Sequence, residues 1–213
     1  MAIGLVLILK ADLEALAKAA AVVAKGGIIC YPTDTVYGLG CNPLNSSAVE
    51  RVTAAKGGRT KPMPILVRQI QDAERLGYMS QSSRKLARKF WPGPLTIVVK
   101  AKDVLPKIIA PDGTVGLRCP RHAICLDLLG LCSGALVGTS ANLVGKTPAT
   151  SAADAAKAFA DRVDLVLDDG KSPLGVASTV VDLTGEGFVM LREGPIGKRE
   201  LMKCLRGRSQ DSY

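Results

Sequence analysis

The chain has a single histidine, His122, and its six cysteines (Cys30, Cys41, Cys119, Cys125, Cys132 and Cys204) include no C-x-x-C pair. Structural zinc sites need closely spaced thiolates or imidazoles, so this scarcity argues against one. The thiols read instead as buried groups in a reducing compartment, the cytoplasm. Aromatic residues make up only 4% of the chain, too few for a surface that stacks many bases. Long apolar runs are missing too, and none reaches the roughly 18 residues that a membrane span requires. The apolar stretch 3–9 has no basic residue before it and runs into Lys10, Asp12 and Glu14. It reads as a first strand rather than a signal peptide.

What is present fits one domain. A chain of 213 residues can bury an adequate core without disulfides, and a formal charge of +9 favours polyanionic partners such as nucleotides or RNA. A simple solvated basic surface is the alternative reading of that charge.

Residues 12–25 are rich in Ala and Leu, with Asp12 and Glu14 at the start and Lys25-Gly26-Gly27 at the end, the charge placement and glycine stop of a helix. Residues 28–31 read as a buried strand. Ser47 and Glu50 form a capping-box pattern that opens a helix to about Lys56, where Gly57 and Gly58 end it. Strands are expected at 64–68, 95–100, 114–118 and 135–138, and helices at 83–91, 121–131 and 151–161. Three further strand candidates, 163–167, 178–183 and 188–192, follow with no room for helices between them. That spacing predicts a mixed sheet flanked by helices. Residues 198–213 read as a short helix and a frayed basic tail after a domain spanning 1–197.

Two phosphate-loop patterns fail on inspection. Gly38-Leu-Gly40 lacks the third glycine of a dinucleotide loop, since position 43 is Pro43. Gly145-Lys146-Thr147 has Ser140 where a P-loop needs its first glycine, and Pro148 follows where the helix should begin. His122, beside Arg121, reads as a surface side chain, and no serine or cysteine nucleophile has a convincing partner.

The remaining polar islands are richer in cations and hydroxyls than in bases. Lys56, Arg59, Lys61, Arg118 and Arg192 fall near expected element ends, where they can converge on phosphates. Thr33, Thr35, Ser140, Asn142 and Ser178 add small hydrogen-bonding groups. Such a set favours chemistry driven by positioning and charge neutralisation.

The islands in sequence order are Tyr31-Pro-Thr-Asp-Thr-Val-Tyr-Gly-Leu-Gly40, Pro92-Gly-Pro-Leu-Thr96, Val115-Gly-Leu-Arg118, Thr139-Ser-Ala-Asn142, Ser178-Thr-Val-Val-Asp182 and Leu191-Arg192. In this order they resemble the YrdC-like family of threonylcarbamoyl-AMP synthases over nearly the whole chain. The resemblance implies an open-sheet α/β fold with a twisted mixed sheet and a basic concave groove, in the single-domain form that lacks the extra C-terminal domain of longer relatives. It also implies a reaction of ATP, L-threonine and bicarbonate (or carbon dioxide) giving threonylcarbamoyl-AMP and pyrophosphate, with Mg²⁺ carried by the phosphates and no metal ligand from protein side chains. The product would pass to a separate tRNA threonylcarbamoyl transferase complex.

By the same resemblance, Lys56 and Arg59 are the catalytic cations and, with Arg192, engage the triphosphate or adenylate. Lys61, Thr114, Asn142 and Thr150 lie on the nucleotide, while Thr35, Arg118, Ser140 and Ser178 hold threonine. The family pattern is lysine, any residue, arginine; here Gly57 and Gly58 both separate Lys56 from Arg59, and two glycines give the backbone freedom to bring Arg59 to the site. Two other readings stand beside this one. One is a structured-RNA-binding protein with a vestigial nucleotide pocket, touching tRNA directly through its basic surface. The other is a related carbamoyl-adenylate enzyme that uses a different amine or carbamoyl donor.

Overall fold

The computed structural model describes residues 6–58 and 62–206. Arg59, Lys61 and the tail beyond residue 206 therefore lie outside the described residues.

Strand β1 (Ile8–Lys10) leads into helix α1 (Leu13–Ala24), which Asp12 caps by accepting the Ala15 N–H at 2.9 Å. Gly26, at φ +80°, turns the chain out of the helix toward β2 (Ile29–Tyr31) and the antiparallel β3 (Gly38–Gly40). Helix α2 (Ser46–Ala55) begins earlier than the sequence pattern suggests. Its cap is Asn45, which has the extended backbone a cap requires and whose side chain accepts the Ala48 N–H at 3.1 Å. With that donor satisfied, Ser47 lies inside the helix and its capping box with Glu50 does not start it.

The chain continues through β4 (Ile65–Val67), α3 (Ile70–Leu76), β5 (Gly77–Tyr78), α4 (Gln81–Phe90), β6 (Leu95–Ala101) and β7 (Thr114–Arg118). After α5 (Ala123–Leu131) come β8 (Ala135–Val137), β9 (Thr139–Ser140), α6 (Ala152–Phe159), β10 (Leu165–Asp168), β11 (Thr179–Asp182), β12 (Val189–Arg192) and α7 (Lys198–Arg206). Helix α7 is attached rather than loose: Leu201 is fully buried, and Lys85 of α4 donates to the Leu205 carbonyl.

The mixed pairing expected from the sequence is present, divided between two sheets. One has the order β1-β10-β2-β3-β9 and the other β12-β11-β6-β7-β4-β8, with β5 beside β6. The three closely spaced late strands separate accordingly, β10 joining the first sheet while β11 and β12 join the second. The chain crosses between sheets at Gly138, from β8 to β9. A Cβ there would fall 2.4 Å from Leu66 Cγ, so only glycine permits the crossing this close to β4. At Gly40 a Cβ would meet the Val137 carbonyl oxygen at 2.1 Å. That same carbonyl accepts the fully buried Tyr31 hydroxyl at 2.7 Å, which ties the two sheets together and satisfies the one polar atom of the ring.

Register then gathers the polar islands. Gly38 pairs with Ser140, Leu66 with Arg118, and Thr179 with Leu95. Segments 52 to 102 residues apart in sequence therefore end beside one another at the junction of the sheets.

Candidate active site

At that junction lies a cleft lined by Thr33, Thr35 and Tyr37 from the connection between β2 and β3, by Gly38 of β3, by Leu66, Thr96 and Arg118 from the second sheet, and by Ser140, Ser178 and Arg192. Each comes from a strand end or the turn beside it. A strand fixes the direction of its side chains, so groups mounted this way are held without a mobile loop.

Arg118 sits at the base, with its side chain 6% exposed. Its Nε donates to the Gly93 carbonyl at 3.0 Å, one Nη to Thr35 Oγ1 at 2.7 Å, and the other Nη to Asp34 Oδ1 in a short buried ion pair. Burial pulls the guanidinium pKa down, and the Asp34 carboxylate opposes that pull. An arginine so paired keeps its charge. Of the five N–H donors a guanidinium carries, these contacts use three and leave two for the cleft.

The hydroxyls form a second set. Thr35 Oγ1 is 3.1 Å from Thr33 Oγ1, which itself donates to the Val36 carbonyl at 2.6 Å. Ser178 Oγ is 2.8 Å from Thr96 Oγ1 and accepts from an Arg192 Nη at 3.1 Å, while Arg192 Nε holds the Ser178 carbonyl at 2.9 Å. Arg192, expected on the nucleotide, is thereby anchored at the cleft wall to Ser178, expected on threonine.

Lys56 closes helix α2 and is 1% exposed. Its ammonium donates to the carbonyls of Ser140 and Asn142 at 2.6 and 2.8 Å, and its own carbonyl accepts the Val144 N–H at 3.2 Å. It fixes the backbone of the Ser140-Ala141-Asn142 turn from beneath. Asn142 is committed locally as well: its Oδ1 accepts from Ser140 Oγ at 2.5 Å, and its Nδ2 donates to the Leu143 and Lys146 carbonyls.

Two expected nucleotide contacts lie apart from these. Thr114 starts β7 on the same strand face as Arg118, four residues or about 13 Å along it, opposite Lys100. Thr150 precedes α6, where its carbonyl accepts the Ser172 N–H at 2.9 Å. Neither is among the residues that line the cleft, and nor are Lys56 and Asn142; of the expected nucleotide contacts within the described residues, Arg192 alone lines it.

Sequence reasoning missed Asp34 and Thr96. Asp34 stands in the middle of the Thr33-Asp34-Thr35 motif, but nothing in that spacing shows its pairing with an arginine 84 residues away. His122 corrects an expectation: its side chain is only 10% exposed, with Nε2 3.6 Å from Asp169 Oδ2. Neighbouring elements cover it, which the adjacent Arg121 in sequence does not reveal. The Cys119 thiol, beside Arg118, is pushed up to about 12 by burial, so no thiolate nucleophile forms there.

A sequence model for Sua5, YciO and YrdC proteins, described as telomere recombination, matches residues 21–194. The chain belongs to this family. A threonylcarbamoyl-AMP synthase of Pyrococcus abyssi is 38% identical over 192 residues, which cover 88% of this chain and 56% of that one. This chain thus spans little more than half the length of that relative. A Mycobacterium tuberculosis family member is 39% identical over 183 residues, 84% of each chain. The crystal structure of Pyrococcus abyssi Sua5 complexed with L-threonine superposes with a TM-score of 0.88 at 35% identity, covering 94% of this chain and 60% of that one. The family match explains why the islands keep their order, because each supplies one wall of the cleft.

Proposed function

We propose that this protein is a threonylcarbamoyl-AMP synthase, a nucleotidyltransferase that makes threonylcarbamoyl-AMP and pyrophosphate from L-threonine, bicarbonate or carbon dioxide, and ATP. The observation that carries the proposal is the buried Arg118, neutralised on one side by Asp34 and steadied by Thr35, with two N–H groups left toward a hydroxyl-lined cleft. That is a seat for one carboxylate beside small hydrogen-bonding groups, which matches an amino acid with a hydroxyl side chain. The cleft is small, about 80 Å³, which favours an amino acid over a whole nucleotide, so the nucleotide would extend beyond it past Arg192.

The chemistry needs no protein nucleophile. The threonine amine adds to carbon dioxide and loses a proton, giving a carbamate. A carbamate oxygen then bonds to the α-phosphorus of ATP, and the bond to the bridging oxygen breaks to release pyrophosphate. Arg118, Thr35, Ser140 and Ser178 orient the amino acid, while Arg192 neutralises charge where the phosphates lie. Lys56 holds the turn that carries Ser140, and the same turn brings Asn142 to the nucleotide side. Mg²⁺ accompanies ATP in this proposal. The cleft lining offers hydroxyls and guanidiniums and no carboxylate, and the nearby Asp34 is engaged by Arg118, so phosphate oxygens suit the ion better than side chains do.

The product supplies a separate transferase that modifies tRNA in the cytoplasm. No helix among the described residues is long and apolar enough to cross a membrane. The reading is tested by incubating the protein with ATP, Mg²⁺ and bicarbonate and measuring pyrophosphate release with and without threonine. Release that requires both threonine and bicarbonate is the expected result. Release that is indifferent to threonine would overturn it.

A further inference from the structure

The connection from β10 to β11 leaves the first sheet after Asp168 and enters the second at Thr179. Its last two residues, Ala177 and Ser178, line the cleft. We propose that the Tyr37 hydroxyl is a positioning group for the amino-acid substrate, holding the start of this connection so that Ser178 and the Asp34–Arg118 pair keep their places. The inference rests on the reading of the cleft as a threonine site.

Tyr37 is fully buried and lines the same cleft. A phenylalanine ring fills nearly the same space, so what tyrosine adds is its polar tip, and a buried hydroxyl is costly unless partnered. The hydrogen bonds of this one all go to a single turn. It donates to the Gly170 carbonyl at 2.7 Å, lies 3.5 Å from Asp168 Oδ1 and accepts the Asp169 N–H at 3.3 Å. Burial pushes its pKa up to about 12, so it stays a donor at neutral pH.

The rest of the connection has few anchors among the described residues. Of residues 171–176 only Ser172 is buried, and Leu174 and Val176 are 43% and 52% exposed. Without apolar side chains to hold it, the segment depends on backbone hydrogen bonds: the Ser172 N–H to the Thr150 carbonyl at 2.9 Å and the Leu174 N–H to the Asp34 carbonyl at 3.0 Å. Gly170 and Gly175, at φ +76° and +65°, turn the chain before and after Leu174.

Two routes lead from this segment to the threonine seat. The Leu174 bond reaches Asp34, whose carboxylate orients Arg118. The chain itself reaches Ser178, which meets Thr96 and Arg192. The turn at 140–142 is held by other means, by Lys56 and by the Tyr37 backbone, whose carbonyl accepts the Ala141 N–H at 2.8 Å and whose N–H donates to the Ala149 carbonyl at 2.9 Å. Tyr37→Phe keeps those backbone bonds and deletes only the tie to the connection.

The experiment measures pyrophosphate release with each substrate varied, and trypsin cleavage after the exposed Lys171, in the wild type and in three variants. In Tyr37→Phe the threonine KM is expected to rise about fivefold or more, with the ATP KM within about twofold of wild type. Cleavage after Lys171 should quicken by about fivefold as well, because proteolysis follows local opening, and saturating threonine should slow it. Tyr31→Phe deletes a fully buried hydroxyl that bonds the Val137 carbonyl instead, and should leave cleavage after Lys171 at the wild-type rate. Gly170→Ala keeps Tyr37 and strains the same turn at a position where a Cβ meets nothing within 4 Å. It should show the same selective rise in threonine KM, and it decides the matter if Tyr37→Phe does not fold. The inference is overturned if the threonine KM of Tyr37→Phe stays at the wild-type value, if both KM values rise equally, or if Tyr31→Phe speeds cleavage after Lys171 as much as Tyr37→Phe does. Wild-type release that is indifferent to threonine would overturn the threonine reading and this inference together, whereas a threonine-dependent wild type beside an unchanged Tyr37→Phe overturns this inference alone.

Discussion

Arg118, the last residue of β7, and Asp34, in the connection between β2 and β3, form an ion pair with each side chain 6% exposed. The pair does two things at once. It lets a cation remain charged at the base of a buried cleft, and it orients the guanidinium so that its unused donors face outward. Gly93 and Thr35 complete the orientation from two further segments.

Replacement of Arg118 by lysine keeps the charge but loses the planar fork, since an ammonium reaches fewer of Asp34, Thr35 and Gly93 and cannot also present parallel donors. The threonine KM of Arg118→Lys is expected to rise at least about tenfold, with the ATP KM within roughly threefold of wild type. Steady-state pyrophosphate release, with each substrate varied in turn, measures both. Equal rises for the two substrates would count against Arg118 as the carboxylate seat.

Asp34→Asn keeps the shape and removes the negative charge. Breaking a buried pair from one side leaves the other charge uncompensated, at a cost of about 3–5 kcal/mol. Urea denaturation should show a loss of this order, and Asp34→Asn combined with Arg118→Gln should be more stable than Asp34→Asn alone. A loss below about 1 kcal/mol for the single variant, typical of an exposed pair, would show that the carboxylate does not compensate Arg118.

Lys56 acts through the turn above it. Lys56→Met keeps the chain length but deletes the donors to the Ser140 and Asn142 carbonyls, leaving each part-buried acceptor with one partner fewer. Stability should fall by about 2–4 kcal/mol. With Ser140 proposed to face threonine and Asn142 the nucleotide, both KM values should rise, unlike the selective effect at Arg118. A variant with wild-type stability and only a changed ATP KM would instead mean that the ammonium is in direct contact with phosphate.

Local chemistry made part of this architecture readable in the sequence. The Asp12 cap and the glycine stop mark α1 because both act within a few residues of the helix they bound. The cap of α2 was misplaced because Asn45 and Ser47 are both good caps, and backbone conformation chooses between them. Strands of two or three residues such as β5 and β9 carry no periodicity, so their pairing with β6 and β3 is fixed by the folded chain alone. The site divides along the same line. The hydroxyls and arginines stand out as residue types, but the burial of Lys56 and the attachment of Asp34 to Arg118 arise only when distant strands meet.

His122 shows the same principle through its response to pH. Burial lowers its pKa, while Asp169 and Asp34 pull the other way without cancelling that effect. Because the folded-state pKa lies below the unfolded value of about 6.5, the unfolded chain takes up this proton first as pH falls. The stability that neutral His122 contributes is therefore present above about pH 6.5 and is lost as pH drops toward the folded pKa, at no more than about 1.4 kcal/mol per pH unit. In urea denaturation between about pH 7.5 and 5.5, the wild type should lose stability more steeply than His122→Asn, which has no proton to gain. Asparagine also favours the helix-cap position that His122 holds before α5 without a side-chain capping bond, so the variant's absolute stability can rise while its slope flattens. Parallel slopes for the two proteins would mean that His122 titrates in the fold as it does in the unfolded chain, and that the space around it admits the charge freely.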